Sequence, residues 1–345
     1  MEDLVDFSEL SFDKAGYGGS DEKYNDIWHG TWYMFKFGQQ LEPNDKNPLQ
    51  ASYENSPVSE YLGSKIFASV GIDAQETILG TYRGRSVVAC KDFVRNDGHV
   101  SLMEFNQLQN STPGGSSTDK RTPEYDFTMK VLTTHPWLKP IRKDAIKRFW
   151  QTLCMDALLG NFDRHAGNWG YLADTTTFSA MRCAPVYDCG SCLHPRLAES
   201  AMLEMLHDRN DMIERMKTYP NARLLINGKR PHYQDLLTSK WGREARRVLV
   251  DLWDRIDLEK IHSVIEACPG IDSVRREFFH MLVDTRKAVM LDPAYELGIE
   301  EKAKEIQPIR DTFLEMEQEG CLSEMEAEVA ELGELESEEK SHDSR

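Results

Sequence analysis

The sequence lacks any apolar run long enough to cross a membrane, which takes about 20 consecutive apolar residues. Its N-terminus also lacks the basic and apolar segments of a signal peptide. The cysteines number seven, an odd count without the regular spacing of a disulfide framework. Together these absences indicate a cytoplasmic protein whose thiols stay reduced.

Positive charge is scarce as well, because 41 Lys and Arg stand against 58 Asp and Glu and leave a net charge of −17. Proteins that coat nucleic acids or bind anionic membranes need a basic face, so we expect neither kind of partner. The acidity is concentrated near the end, where residues 300–345 carry −11. We interpret residues 314–345 as a solvated acidic tail, and a regulatory segment that folds over basic parts of the chain is the alternative.

Short strand patterns dominate the first 100 residues or so of the chain. Four strands are predicted there, in two hairpins: residues 24–29 with 31–37, and residues 77–82 with 86–93. Between the hairpins, apolar residues recur at helical spacing, with Ser59 as the predicted N-cap and Gly71 as the stop signal. The length of 345 residues allows about two units. We assign residues 1–93 to a β-rich N-terminal lobe.

The pattern changes to helix in the second part of the chain. Residues 106–123 are poor in apolar side chains and predict a linker or lid. A helix that ends at Gly160 follows, then two short strands at 169–172 and 177–183, and then helices to about residue 313. The sequence therefore predicts an α+β fold of two lobes, with a hinge and a mostly helical C-terminal lobe at residues 94–313.

The most informative segment is the turn after this helix, which reads Gly-Asn-Phe-Asp-Arg-His-Ala-Gly-Asn-Trp. It places Asp163 and Asn168 five positions apart. Protein kinases have an Asp and an Asn at this spacing in their catalytic loop. The Asp accepts the proton of the attacking hydroxyl, and the Asn offers a neutral oxygen to Mg²⁺.

A second motif follows the short strands and reads Val-Tyr-Asp188-Cys-Gly190. It has the Asp-x-Gly form of the metal-binding motif of kinases. Mg²⁺ prefers hard oxygen ligands, commonly one or two carboxylates together with substrate phosphates. We expect Asp188 to supply the carboxylate and Asn168 the second protein oxygen, while Gly190 allows a tight turn behind the metal.

Lys36 is the third feature, because it lies within an otherwise apolar strand. A lysine in the middle of such a strand is costly unless it is paired. Glu60, expected in the first turn of the following helix, is the candidate partner. Such a pair between a strand lysine and a helix glutamate holds the ATP phosphates in kinases. An edge-strand lysine that points to water is the alternative for Lys36, and a helix-terminal acid is the alternative for Glu60.

In combination, these motifs resemble the C-terminal kinase domain of HipA-like serine/threonine kinases. The resemblance rests on Gly-Asn-x-Asp-x-His-x-x-Asn at residues 160–168 and Tyr-Asp-x-Gly-Ser-x-Leu at 187–193. Ser-Glu-Tyr-Leu at 59–62 and Val-Ala-Cys-Lys-Asp-Phe at 88–93 extend it. It covers the chain from about residue 16 to about residue 297. It implies a protein kinase that uses ATP and Mg²⁺ and transfers the γ-phosphate to a hydroxyl acceptor.

The resemblance also implies a role for each matching position. Asp163 and His165 match the catalytic loop, and Asn168 and Asp188 match the magnesium ligands. The ATP site would comprise the glycine loop, the lysine with its glutamate, and the hinge at adenine: Gly18, Gly19, Ser20, Lys36, Glu60, Asp92 and Phe93. Family members can phosphorylate a serine in the glycine loop, which predicts that phosphorylated Ser20 weakens ATP binding. Longer members carry an extra N-terminal subdomain that contacts an antitoxin, and because this chain starts almost at the glycine turn, we do not expect that partner.

Several other functions compete with this interpretation. Asp163 and His165 could belong to a zinc or manganese hydrolase, but the other nine histidines show no paired spacing. The Cys189 and Cys192 pair is a weak redox signal without a thioredoxin-like pattern around it. A small-molecule or lipid kinase and a pseudokinase scaffold stay open. Because the base, both metal ligands and the lysine are all present, the sequence favours an active enzyme whose acceptor, protein or small molecule, it does not identify.

Overall fold

The computed structural model describes residues 4–12, 22–41, 50–51, 54–114 and 122–318, the last of these with side chains to residue 308. Gly18, Gly19 and Ser20, the predicted glycine loop, lie outside these ranges, as does most of the predicted acidic tail. The chain divides into two compact units, Met1–Tyr295 and Glu296–Arg345. Every described candidate site residue lies in the first unit.

A five-stranded sheet forms the N-terminal part of the first unit. Its strands, in chain order, are β1 (Val5–Asp6), β2 (Lys23–Trp28), β3 (Thr31–Phe37), β4 (Thr77–Tyr82) and β5 (Arg85–Lys91). The spatial order is β1-β4-β5-β3-β2, antiparallel except for the parallel β1–β4 pair. Both predicted hairpins are present. Their turns, His29-Gly30 and Arg83-Gly84, have positive φ at both residues, as two-residue hairpin turns require.

The helix between the hairpins, α1 (Ser56–Ser69), begins earlier than predicted. Asn55 precedes it and Pro57 lies in its first turn, where the fixed φ of proline suits a helix start. The prediction of Ser59 as the N-cap is therefore wrong, since Ser59 is buried inside the helix. Glu60 lies in the second turn and not the first. Gly71, with a φ of +70°, follows the helix end as predicted.

A second sheet of three antiparallel strands includes the strand that follows the Asp163–Asn168 turn. Its strands are β6 (Val100–Glu104), β7 (Gly170–Asp174) and β8 (Ala180–Cys183), in that spatial order. The sequence did not predict β6, and its other two strands start later than expected. Trp169, assigned to a strand, instead stacks on Phe105 with the ring centroids 4.0 Å apart.

The interpretation of residues 106–123 as a linker is wrong at its start, where α2 (Phe105–Ser111) forms. A capping box between Glu104 and Gln107 begins this helix, and it buries Phe105 and Leu108. Two apolar side chains are enough to anchor so short a helix, but too few to make a visible periodic pattern. Residues 115–121 lie outside the described ranges.

Helices make up most of the remaining chain, as predicted. They are α3 (Tyr125–Thr134), α4 (Arg142–Leu159), α5 (Glu199–His207), α6 (Arg209–Thr218), α7 (Tyr233–Thr238), α8 (Arg243–Leu252), α9 (Leu258–Ala267), α10 (Ser273–Arg286) and α11 (Asp292–Gln318). Gly160, in the left-handed conformation, ends α4 as predicted. The largest buried cluster joins α1 and α4 to α5–α10. Among the described residues, no helix combines the length and apolarity of a membrane span.

Candidate active site

The turn after α4 is shaped by a fully buried asparagine. Asn161 donates its side-chain N–H to Asp156 Oδ1 at 2.9 Å, and its Oδ1 accepts the backbone N–H of Asp163 at 2.9 Å. Tyr233, on α7, donates its hydroxyl to the Asn161 carbonyl at 2.9 Å. Because these bonds reach from α4 and α7 into the turn, the position of the Asp163 backbone is set by tertiary structure as well as by the local sequence.

Asp163, His165 and Asn168 come together within this one turn. Asn168 Nδ2 donates to the Asp163 carbonyl at 2.9 Å, which orients the amide so that its nitrogen faces the turn. The Asn168 oxygen Oδ1 is therefore the side-chain atom left for a ligand. His165 Nδ1 accepts the N–H of Gly167 at 3.0 Å, so this ring supports the turn.

In the loop that carries Asp188, the left-handed backbone conformation lies at a different residue from the one predicted. Asp188 itself has a left-handed φ of +58°, while Gly190, the predicted turn glycine, has no positive φ. Gly190 instead allows close packing, because a Cβ there would lie 3.2 Å from Glu60 Oε2. Gly63 of α1 is tighter still, since its Cβ would lie 2.5 Å from Cys189 Cβ. The α1 helix therefore packs directly on the loop that carries Asp188.

Lys36 joins three elements at the centre of the site. Its Nζ lies 3.1 Å from Glu60 Oε1 on α1 and 3.3 Å from Asp188 Oδ1. The Lys36 side chain is 14% exposed and Glu60 only 1%, whereas Asp188 is 32% exposed. The predicted pairing of the strand lysine with the helix glutamate is thus present, and the side of the cluster that solvent reaches is the Asp188 carboxylate.

Mutual attraction keeps Lys36 and Asp188 charged. Burial acts to lower the pKa of Lys36, but Asp188 and Glu60 raise it well above its ordinary value. Burial acts to raise the pKa of Asp188, yet Lys36, with smaller contributions from Lys23 and Arg164, lowers it to about 2. At neutral pH the cluster therefore presents an ammonium and an ionised carboxylate.

A buried arginine beneath the site connects the two loops. Arg164 binds Asp156 through Nε (2.9 Å to Oδ2) and Nη2 (3.2 Å to Oδ1). Its Nη1 donates to the Asn168 carbonyl at 3.0 Å and also to the Tyr187 carbonyl. Burial acts to lower the pKa of Arg164, and Asp156 more than reverses this. One guanidinium group thus ties the end of α4 to the backbone of the Asn168 turn and to the residue before Asp188.

A second arginine, Arg223, contacts the predicted catalytic aspartate directly. Its Nη2 lies 2.6 Å from Asp163 Oδ1, and its Nε donates to the Phe162 carbonyl at 3.2 Å. Arg223 belongs to the segment between α6 and α7, 60 positions after Asp163. The sequence analysis missed it, because no local motif marks a contact made across such a distance. Arg164 was missed although it lies within the motif.

The predicted hinge residues follow β5. The Asp92 carboxylate accepts the backbone N–H groups of Val94 (3.0 Å) and Arg95 (2.9 Å), so it caps its own turn. The Phe93 ring lies 5.9 Å from the ring of Tyr187, the neighbour of Asp188. Phe93 is therefore next to the loop that carries Asp188, whereas the Asp92 carboxylate already accepts two backbone N–H groups. Contact of either residue with adenine stays a prediction.

The oxygen atoms of Asp188 and Asn168 suit Mg²⁺ better than zinc. Within the described part of the chain, no three His, Cys, Asp or Glu side chains gather as a metal site. Zinc takes three or four such ligands, whereas Mg²⁺ accepts one or two protein oxygens beside phosphates and water. The Asp188 carboxylate and the Asn168 amide oxygen match Mg²⁺. This donor set speaks against the zinc hydrolase alternative.

Comparison with known proteins places these features in a family. The model of the HipA-like C-terminal domain matches residues 15–267. The serine/threonine-protein kinase CtkA of Helicobacter pylori is 33% identical over 299 residues, which are 86% of this chain and 89% of CtkA. A crystal structure of that organism's proinflammatory kinase CtkA superposes with a TM-score of 0.74 at 30% identity, over 87% of this chain and 99% of the other. A Shewanella oneidensis complex of HipA, HipB and operator DNA matches at 14% identity with a TM-score of 0.46, over 83% of this chain and 68% of the other.

Proposed function

This chain belongs to the HipA-like C-terminal domain family, and from that premise we propose that it is a serine/threonine protein kinase that uses ATP and Mg²⁺. The chemistry falls to Asp163, Asn168, Asp188 and Lys36. Enzymatic phosphoryl transfer consists mainly of positioning and of charge neutralisation around the transferred group. Each of these four side chains is suited to one of those two tasks.

Lys36 and the two metal ligands act on the phosphates. Lys36 is charged, and Glu60 fixes its position without using up all of its donors. Asp188 and Asn168 would hold Mg²⁺, which when bound neutralises charge on the phosphate oxygens. Because Arg164 binds the carbonyls of Asn168 and Tyr187, the two ligand-bearing loops are held at a fixed separation before ATP arrives.

Asp163 acts on the acceptor. Its carboxylate takes the proton of the hydroxyl group while the hydroxyl oxygen bonds to the γ-phosphorus and the bond to the ADP oxygen breaks. Arg223 occupies Oδ1, so Oδ2 is the oxygen that receives the proton.

The contact of Lys36 with both Glu60 and Asp188 is the observation that carries this proposal. Active kinases need both the lysine–glutamate pair and the metal-binding aspartate in place. A scaffold that binds partners without catalysis has no need for a buried, paired lysine whose second partner faces solvent. The pseudokinase alternative therefore has less support than an active enzyme.

Transfer from γ-labelled ATP to protein tests the proposal. We expect the wild-type enzyme to transfer the labelled phosphate to a serine or threonine of a protein in the presence of Mg²⁺. We expect Asp163→Asn and Asp188→Asn to abolish this transfer while the fold persists. Asp284→Asn, which alters a partly exposed aspartate paired with His262, is the matched control. Label that appears only in small molecules, or that persists in both variants, would contradict the proposal.

A further inference from the structure

Arginine side chains surround the segment that carries Asp163. The guanidinium group of Arg196 lies 5.7 Å from the ring centroid of Phe162, the residue before Asp163. Its Nε also binds Glu54 Oε1 at 2.7 Å, yet half of the Arg196 side chain is exposed. Arg223 binds the same segment at the Phe162 carbonyl and at Asp163 Oδ1. Two guanidinium groups thus contact Phe162 and Asp163 directly.

Arg230 lies on the returning limb of the loop that carries Arg223. The backbone N–H of Ala222 donates to the Pro231 carbonyl at 2.9 Å and joins the two limbs. Arg230 donates to the carbonyls of Ala222 (3.1 Å) and Asn221 (3.0 Å). Burial and the nearby Arg223 lower the pKa of Arg230, while Asp163 acts in the opposite direction. Arg230 is thus held beside Asn221 and Ala222, the two residues that precede Arg223 along the chain.

A fourth guanidinium, from Arg215, lies 5.1 Å from the ring centroid of Tyr219. The Tyr219 ring is in turn 6.2 Å from that of Phe162. We use the name arginine patch for these four residues: Arg196, Arg215, Arg223 and Arg230. Within the described ranges, the carboxylates that pair with the arginine patch are Asp163 and Glu54. Four positive charges face two negative ones, on a chain whose net charge is −17.

Asp163 Oδ2 is where the acceptor hydroxyl must arrive if Asp163 is the base. The residues that flank this hydroxyl in a protein must then lie over the surface around Phe162 and Tyr219. Guanidinium groups bind carboxylates through paired N–H donors, and they repel lysine and arginine. A patch in which, within the described ranges, arginines outnumber their paired carboxylates also draws acidic segments towards it over a distance of about 10 Å at moderate salt.

We propose that the arginine patch selects the acceptor, and that this acceptor is a serine or threonine within an acidic protein segment. The proposal rests on the proposed function, since it takes Asp163 as the base. It adds the substrate class: glutamate or aspartate side chains beside the phosphorylated hydroxyl bind Arg196 and Arg230. Arg223 faces the hydroxyl itself, because it is bound to the base.

Two synthetic peptides with one serine, flanked by glutamates in one and by lysines in the other, test this directly. Transfer kinetics give kcat and KM, and fluorescence anisotropy of labelled peptides gives affinity without any need for catalysis. The variants are Arg196→Gln, Arg230→Gln and the double change, because glutamine loses the charge but keeps an N–H donor. Arg247→Gln on α8, where Arg247 pairs with Glu244 at 2.7 Å, is the control for an equal loss of charge elsewhere.

We expect the wild-type protein to prefer the glutamate peptide at least tenfold in kcat/KM, with a preference that weakens as salt rises. The double variant should raise KM and Kd for this peptide about tenfold and leave the KM for ATP unchanged, while Arg247→Gln changes neither. Equal kcat/KM for the two peptides would overturn the proposal, and so would a double variant in which only the KM for ATP rises. If no peptide is phosphorylated and Mg-ATP does not bind, the proposed function fails, and the anisotropy values still decide whether the patch binds acidic segments.

Discussion

Two ion-pair clusters lie next to each other in this molecule and differ in their access to solvent. Asp156 and Arg164 are 1% and 7% exposed, and their two oxygens and two nitrogens are matched. In the Lys36 cluster, by contrast, the Asp188 side chain is about one third exposed. The first cluster offers nothing to a ligand, whereas the second presents a carboxylate oxygen and an ammonium.

This difference in exposure indicates different tasks: the Asp156–Arg164 pair supports the structure of the site, and the Lys36 cluster is available to a ligand. A buried ion pair gains little net stability over apolar residues, because desolvation offsets the attraction between the charges. Arg164 nevertheless has a use, since its remaining N–H groups bind the backbone of both ligand-bearing loops. Within the described ranges, the ion pairs of Lys36 are those with Asp188 and Glu60, so the proposed metal ion would replace part of the contact between Asp188 and Lys36.

The largest effect on stability should come from breaking the buried ion pair between Asp156 and Arg164. Asp156→Ala leaves Arg164 buried without a counter-ion, which costs about 3–5 kcal/mol of unfolding free energy. Urea denaturation measures this loss. Asp144→Ala, in the exposed first turn of the same helix, should cost less than about 1 kcal/mol. Equal losses for the two variants would show that the pair does not hold the loops.

A smaller effect, on activity, is expected from replacing Glu60, the buried carboxylate of the Lys36 cluster. Glu60→Gln removes the negative charge beside Lys36 and leaves an amide oxygen in its place, so that among the described residues Asp188 is the remaining ion-pair partner. We expect kcat/KM for ATP to fall about tenfold to a hundredfold, because a hydrogen bond to a charged group contributes about 1.5–3 kcal/mol. Steady-state kinetics at saturating acceptor measure it.

The β5 strand offers a matched control for this variant. Glu76 pairs with Lys91 at 2.7 Å, but Glu76 is 73% exposed, so Glu76→Gln should leave kcat/KM nearly unchanged. A similar small effect for both variants would show that the position of Lys36 does not depend on Glu60.

His194 supplies a buried group for which, unlike Arg164, the described residues provide no ion pair. Burial, together with Arg215 and Arg286, lowers its pKa well below the ordinary value. In the unfolded chain, His194 therefore takes up a proton near pH 6.5, whereas in the folded chain it stays neutral at that pH. The free energy of unfolding falls as the pH drops below about 6.5. The slope attributable to His194 is at most about 1.4 kcal/mol per pH unit.

Urea unfolding between pH 7.5 and 5 tests this contribution. His194→Asn removes the titrating ring with a residue that tolerates the left-handed backbone found there, where φ is +52°. We expect a flatter pH profile in the variant. Part of the slope should remain, because the pKa values of His135 and His232 are also lowered by burial. An unchanged profile would mean that His194 takes up its proton at the same pH in the folded and the unfolded protein.

The parts of the site that could be predicted from sequence depend on local signals. The turn with Asp163 and Asn168 was predicted from residues adjacent in sequence and from Gly160 at the helix end. Both hairpins were predicted from short glycine-containing turns between strand patterns. The start of α1 was misplaced because Ser59 resembles an N-cap, whereas Pro57 sets the helix start. Arg223 could not be found this way, since its contact with Asp163 depends on how the segment between α6 and α7 folds back.

Binding of ATP with and without Mg²⁺, measured by calorimetry, tests the central claim most directly. If Asp188 is the exposed carboxylate that holds the metal, Mg²⁺ should strengthen ATP binding to the wild-type protein. This gain should disappear in Asp188→Asn and persist in Asp284→Asn, while Asp188→Asn lowers the unfolding free energy by no more than about 2 kcal/mol because it removes one counter-ion of Lys36. The same gain from Mg²⁺ in wild type and in Asp188→Asn would contradict the account.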